Sequence, residues 1–206
     1  MPQKVIVLDI GNVLIEWQPE RFYDQAIGID QRKKLFSQVD LHAMNDKIDS
    51  GQDFKQTVYK TARDYPKWQS EIQMWHDCWL DIAGPAIEHS VRLMKALQAK
   101  QIPIFSLTNF GIQPYQLAVQ RYSFLQDFNQ NYISGYLRIT KPNAHIYQIL
   151  EKDSGTQPNS LLYTDDRQEN VDMANSRGWL THLFDGPQGW GDRLVKERLL
   201  TPEEAK

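Results

Sequence analysis

A single cysteine, Cys78, is present among 206 residues. It has no partner for an internal disulfide, so the fold must hold without one, and a reducing cytoplasmic setting is expected. Basic excess is missing too: 23 Lys and Arg stand against 26 Asp and Glu, a formal net charge of -3 at pH 7. That leaves no polyanion-binding surface, so nucleic acid is not an expected partner. No uninterrupted apolar run is long enough to span a membrane. The one N-terminal apolar run is broken by Asp9 and lacks the basic region and small-residue cleavage site of a secretory signal. His42, His76, His89, His145 and His182 show no metal-ligand spacing, and His76-Asp77-Cys78 is too tight for a usual zinc pair. Phosphate-cradling glycine loops of the nucleotide-binding types, internal repeats and low-complexity tracts are likewise absent.

What the chain does contain is a dense apolar run, residues 5–15, with one carboxylate set into it and Gly11-Asn12 directly behind. Val, Ile and Leu at this density, bounded by turn residues, predict a strand buried on both faces of a parallel sheet. Desolvating an isolated carboxylate is costly, which places Asp9 at the strand's carboxyl end, where a cation can reach it and where α/β sheets bind ligands. A strand-ending Asp that only caps the next turn is the plainer alternative.

Three later stretches bear on that choice. Residues 102–109 form a second buried-strand pattern ending in Thr108 and Asn109; Thr140-Lys141-Pro142 sets a lysine before a helical stretch; residues 161–166 form a third strand ending in Asp165-Asp166, followed by Asn170 and a helix. In this order the set resembles the four motifs of the haloacid dehalogenase superfamily of aspartate-nucleophile hydrolases, and the resemblance spans nearly the whole chain. It implies an α/β fold: a Rossmann-like core with a central parallel sheet flanked by helices, plus a small all-helical cap inserted after strand 1. Residues 1–15 and 84–206 would be the core and residues 16–83 the cap.

The periodicities agree with that division. Residues 16–83 show no strand-like alternation and predict helices over about 19–27, 31–39, 54–64 and 67–80, with Phe22, Ala26, Leu35, Phe36 and Val39 supplying apolar faces. Ile72, Trp75 and Trp79 fall on one stripe of the last of these, as packing residues. From residue 84 onward strands and helices alternate: a helix opened by Pro85 and running to Ala99, a strand over 102–107, a helix over 114–121, a short strand near 132–134, a helix over 144–152, a strand over 161–164, a helix over 169–176, a strand over 181–184 and a closing helix over 190–199.

The chemistry follows from the residue types. Asp9 is the candidate nucleophile, attacking phosphorus or an alkyl carbon to form a covalent intermediate that water later hydrolyses. Anionic attack on a phosphate dianion needs charge cancellation, which Mg²⁺ can supply through one or two carboxylates; Asp9, Asp166 and the Gly11 carbonyl are its expected ligands. Lys141 would neutralise nucleophile and transferring group, while Thr108 and the N–H groups around Asn109 would hold phosphate oxygens. Asp165 and Asn170 are supporting residues, orienting Lys141 and bracing the turn into the following helix. Thr108 as a mere N-cap, Lys141 as a solvated lysine and Asp165-Asp166 as a turn pair are the plainer roles.

One departure from the resemblance matters. Phosphatases of this superfamily carry a second aspartate, the general acid, two residues after the nucleophile; here that position is Gly11. Dehalogenase members also lack it, since halide leaves without a proton, but usually have an aromatic residue there. Asp-x-Gly-Asn-Val resembles instead a branch that includes glucose-1-phosphatase-like enzymes. The expected function is therefore a magnesium-dependent phosphomonoester hydrolase of small-metabolite or sugar phosphates. A metal-free 2-haloacid dehalogenase and a non-catalytic binding protein on the same fold are the alternatives. His42, Asn45, Asp49 and Trp17 are candidates for facing the substrate.

Overall fold

The computed structural model describes residues 4–206, so the first three residues of the expected core segment 1–15 lie outside it. Among the described residues the central sheet has five strands: β1 (Val5–Leu8), β4 (Ile104–Thr108), β5 (Gln130–Ile133), β6 (Leu161–Asp165) and β7 (Leu180–Leu183). Their order is β5-β4-β1-β6-β7, and every pairing is parallel. All four residues of β1 are buried, as a strand packed on both faces requires. Side chains alternate between the faces. Ile6 and Leu8 enter one core with Ile104, Leu93 and Met94, while Val5 and Val7 enter another with Phe105, Leu107, Tyr163 and Trp179.

This topology positions the site. The chain runs from β1 outward to β4 and β5, then crosses back to place β6 and β7 on the other side, so the order reverses around β1. The crevice beyond the carboxyl ends of such strands is where open α/β sheets take ligands. Leu8 stands opposite Ser106 on β4 and Thr164 on β6, which brings three strand ends to one level. The covering helices are α7 (Glu88–Ala99), α8 (Ile112–Arg121), α9 (Ser134–Leu137), α10 (Ala144–Ser154), α11 (Gln168–Ser176) and α12 (Pro187–Lys196).

Between β1 and β4 lie α1 (Pro19–Ile27), α2 (Ile29–Gln38), α3 (Leu41–Asp49), α4 (Phe54–Asp64), α5 (Gln69–Asp77) and α6 (Trp79–Ile82), flanked by β2 (Ile15–Trp17) and β3 (Ala83–Ala86). Here several sequence expectations need correction. β2 and β3 pair antiparallel, so both ends of the helical segment are tied by a ribbon that alternation did not reveal. Pro85 belongs to β3 instead of opening α7; a residue without an N–H is tolerated on a two-stranded ribbon, where one edge needs no donor. The helix expected over 67–80 is broken: Pro66–Trp68 form a 3₁₀ turn, and Cys78 leaves helical geometry (φ -114°, ψ 25°) between α5 and α6. Ile72, Trp75 and Trp79 are nevertheless all buried, and the break lets Trp79 meet Trp17 at a ring-centroid distance of 4.9 Å. Ala26 is exposed, and Tyr23 takes its place in the core.

The helix α3 was not anticipated at all. Its signals are local: the Asp40 carboxylate caps it by accepting from the Ala43 N–H (2.8 Å), and Leu41, Met44, Asn45 and Ile48 repeat at helical spacing on its buried side. No helix of the described residues is long and apolar enough to cross a membrane.

Candidate active site

Asp9 directly follows β1, is 7% exposed, and donates its own N–H to the Thr164 carbonyl (3.1 Å). The Ile10 N–H returns to Asp9 Oδ1 at 2.7 Å, while the Ile10 carbonyl accepts from Leu14 (2.8 Å) and Ile15 (3.0 Å), winding the chain into a tight loop. Asn12 adopts the left-handed conformation (φ 54°) that Asn tolerates better than most residues. Its amide bridges the loop, donating to Asp166 Oδ2 (2.9 Å) and accepting from the Trp17 N–H (2.9 Å). Gly11 sits between them without steric compulsion, since a Cβ there would meet only Trp17 Cβ, at 3.9 Å.

Lys141, 4% exposed, reaches the same place from the loop before α10. Its ammonium has three acceptors for three protons: Asp165 Oδ2 (2.6 Å), Leu107 O (2.8 Å) and Asp9 Oδ1 (3.0 Å). Asn109 clamps the lysine's backbone, accepting from its N–H (2.7 Å) and donating to its carbonyl (3.0 Å). Asp165 is fully buried and surrounded by donors: Lys141, the Tyr163 hydroxyl, the Arg167 N–H (2.8 Å) and the Asn170 amide (2.9 Å). Thr108, 1% exposed at the end of β4, lines the same cavity as Asp9 and helps hold the Asp9 carboxyl down.

These surroundings split the carboxylates. Burial works to raise Asp165, but the Lys141 charge and the hydrogen bonds outweigh it and hold the group below its ordinary range. Asp9 goes the other way, to about 7, because burial is reinforced by Asp165 and Asp166 and only partly offset by Lys141 and Thr108. Asp166 is also raised, chiefly by burial. Lys141 stays charged: its two carboxylate neighbours overcome the burial that would lower it.

The residues expected at the site thus converge, and their oxygens suit a hard cation. Asp9, Asp165 and Asp166 each offer a ligand atom within 4.8 Å of the others. Donors already saturate Asp165, whereas Asp166 accepts from one amide, which leaves Asp9 and Asp166 as the open pair for an ion that favours one or two carboxylates plus water.

A cavity of about 340 Å³ opens over this cluster. Asp9, Gly11, Thr108 and Asp166 line it, as do Asn45 and Asp49 of α3. Asn45 is buried, donates to Asp49 Oδ2 (2.8 Å) and accepts from Trp75 Nε1 (3.1 Å). Asp49 is raised to about 7 by burial, with Asp46 and Asp9 adding to it against the Gly111 N–H and Lys141. His42 also lines the cavity but is exposed and pairs with Glu20 (3.0 Å). Asn12 and Tyr163 were missed in the sequence because an Asn in a turn and a Tyr in a strand are unremarkable without their partners.

The sequence pattern of haloacid dehalogenase-like hydrolases matches residues 3–178. A search of curated proteins finds no match. Among solved structures, a HAD family enzyme from Bacteroides thetaiotaomicron superposes with a TM-score of 0.74 at 19% identity, covering 94% of this chain and 99% of that one. The wild-type form of that enzyme in complex with magnesium and inorganic phosphate gives 0.70 at 18% identity, covering 89% of this chain and 95% of that one. The L-2-haloacid dehalogenase of Xanthobacter autotrophicus, with chloropropionic acid covalently bound, gives 0.60 at 14%, covering 98% and 86%. At these identities the structural likeness establishes the fold, and the sequence match establishes the lineage: the chain belongs to the haloacid dehalogenase-like hydrolase family.

Proposed function

We propose that the chain is a magnesium-dependent phosphomonoester hydrolase of small-metabolite or sugar phosphates, working through an aspartyl-phosphate on Asp9. Residues 1–15 and 84–206 would form its catalytic core and residues 16–83 a cap that selects the substrate. The observation that carries this reading is the charge of the cavity. Asp9, Asp46 and Asp166 line it as carboxylates when Asp9 is ready to attack, with Asp49 protonated and Glu16 paired to Arg21, and the buried ammonium that faces them, Lys141, is already shared with Asp165. Like charges about 4 Å apart repel by about 4 kcal/mol at an effective dielectric of about 20, so an anionic substrate needs a further cation in order to enter. Asp9 and Asp166, with the Gly11 carbonyl as a third oxygen, would hold Mg²⁺. Bound there it supplies Lewis-acid neutralisation of the phosphoryl oxygens. The magnesium and phosphate complex of the Bacteroides thetaiotaomicron enzyme supports this assignment.

The chain's own residues then divide the work. An Asp9 oxygen attacks phosphorus; Lys141 holds that carboxylate and balances charge on the transferring oxygens. Thr108 offers its hydroxyl to a phosphate oxygen beside the N–H groups around Asn109. Asp165 and Asn170 keep Lys141 in place. The lone cysteine and the charge balance fit a cytoplasmic enzyme with a small phosphorylated substrate and no nucleic-acid partner.

The glycine at position 11 favours a second reading, a 2-haloacid dehalogenase in which Asp9 attacks carbon without metal, and the Xanthobacter autotrophicus likeness is compatible with it. A haloacid is itself an anion, however, and the acidic cavity opposes its entry when no metal is bound. A panel of phosphate esters plus 2-chloropropionate, each with and without chelator, separates the two. Phosphate release that chelation abolishes is expected; halide release that survives chelation, with no phosphate from any ester, overturns the assignment.

A further inference from the structure

We propose that Asp49 is the general acid and base of this reaction, doing from α3 what Gly11 cannot do from the loop after β1; the proposal rests on the phosphomonoesterase reading. The first support is placement. Asp49 lines the cavity together with Asp9, Thr108 and Asp166, and it is half-buried.

The second support is rigidity. The last turn of α3 is seated directly on the loop that follows β4 and on the start of α9: the Ser134 hydroxyl donates to the Asp49 carbonyl (2.6 Å) and accepts from the Phe110 N–H (2.9 Å). Glycines make this approach possible. A Cβ on Gly111 would stand 2.5 Å from Ile48 Cγ2, and one on Gly51 would stand 2.6 Å from the Gly135 carbonyl. Asp49 is therefore fixed relative to Thr108 and Asn109, as a proton-transfer group must be relative to the phosphate they would hold.

The third support is its set of partners. Among the described residues no ammonium or guanidinium forms an ion pair with Asp49; its side-chain donor is the Asn45 amide, itself locked by Trp75. The groups facing it are Asp46 on its own helix, the Gly111 N–H, Asp9 from β1 and Lys141, the last already committed to Asp9 and Asp165. The balance lets the carboxyl hold a proton near neutrality, which is the condition for acting in both directions. Its rivals are worse placed: His42 pairs with Glu20, Glu16 pairs with Arg21, and Asp46 is exposed.

The steps balance. Asp9 attacks phosphorus, the bond from phosphorus to the ester oxygen breaks, and the departing oxygen takes the proton of Asp49, leaving as an alcohol. Asp49, now a carboxylate, takes a proton from water as the water oxygen attacks the aspartyl-phosphate. The bond from phosphorus to Asp9 breaks, inorganic phosphate leaves, and both aspartates return to their starting states.

The test is Asp49→Asn, with wild-type and variant compared on alkyl phosphates and on para-nitrophenyl phosphate. With Asp49 in place, wild-type turnover should depend less on leaving-group pKa than Gly11 alone implies. In the variant, alkyl phosphate turnover should fall by about a hundredfold or more, the scale of general acid help. Nitrophenolate needs no proton to leave, so it should appear in a burst equal to the enzyme concentration, followed by slow turnover as aspartyl-phosphate accumulates. Adding Gly11→Asp to Asp49→Asn should restore alkyl phosphate turnover. Should Asp49→Asn fail to fold, Asp49→Ser, a smaller uncharged replacement, carries the same comparison. Unchanged turnover, or an equal loss on all esters with no burst, overturns the role of Asp49 while leaving the phosphatase reading intact. A wild-type enzyme inert on every ester overturns both.

Discussion

Lys141 and Asp165 form an ion pair in which both side chains are almost wholly removed from solvent, Nζ lying 2.6 Å from Oδ2. The same ammonium is 3.0 Å from Asp9. A buried charge left without its partner is strongly destabilising, whereas the intact pair need not be worth much. The pair thus holds a charged ammonium within 3.0 Å of Asp9.

Lys141→Ala consequently has two expected effects. Turnover should drop by at least about a hundredfold, as for loss of a preorganised electrostatic group. Stability should fall by about 3–5 kcal/mol, because Asp165 stays buried without its cation. Urea unfolding of Lys141→Ala beside the double variant Lys141→Ala/Asp165→Asn checks the second effect: the double variant should recover part of the loss. A double variant no more stable than the single one would show that the pair does not set the cost.

Asp9 and Asp166 are expected to separate in their response to metal. Asp9→Asn is nearly isosteric, so it should fold with near wild-type melting, yet lose turnover by about a thousandfold or more at any magnesium concentration, since the attacking anion is gone. Asp166→Ala should keep a nucleophile but need more magnesium for half-maximal rate. Identical magnesium titrations for wild type and Asp166→Ala would remove Asp166 from the ion's ligands.

Stability should also depend on pH through Asp49. Its carboxyl is raised to about 7 in the folded chain from an ordinary value of 3.8. Between those values the folded state holds a proton that the unfolded state has released, so this group's contribution falls as pH rises from about 4 to about 7 and levels off above. Asp165 has the opposite sign, being depressed, and its contribution is lost only on strong acidification. Melting temperatures of chelated wild type and Asp49→Asn across pH 5 to 8 are the measurement. The variant should lose less stability toward pH 8, and parallel curves would count against the shift.

The sequence made the core legible because its signals are local. An apolar run ended by Asp9, Thr108 or Asp165 encodes both a two-face-buried strand and the polar group at its tip, and the lysine before Pro142 completes the set. What it hid depends on distant partners. The pairing of Ile15 with Ala86 joins residues about seventy apart, and Trp75 and Trp79 share a stripe whose helix breaks at Cys78. Asp49 was legible as a possible substrate neighbour, but its helix was not, and the glycines that seat it had no visible reason for being glycine.

That seating gives the last prediction. Gly111 has ordinary backbone angles (φ -66°, ψ 156°), so alanine is conformationally acceptable and only space opposes it. Its Cβ would meet Ile48 Cγ2 at 2.5 Å and the Ile48 carbonyl at 3.1 Å; Ile48 is fully buried and β-branched, so neither atom yields without a shift of α3. Gly111→Ala should therefore push the end of α3, and with it Asp49 and Asn45, away from Asp9 while leaving the contacts among Asp9, Lys141, Asp165 and Asp166 unchanged. A misplacement of about 1 Å can cost about a hundredfold in rate. Alkyl phosphate turnover should fall sharply in Gly111→Ala, with the magnesium requirement that of the wild type. If Gly111→Ala instead shifts the magnesium requirement and spares turnover, the contact of α3 with the loop after β4 serves the metal site and not the position of Asp49.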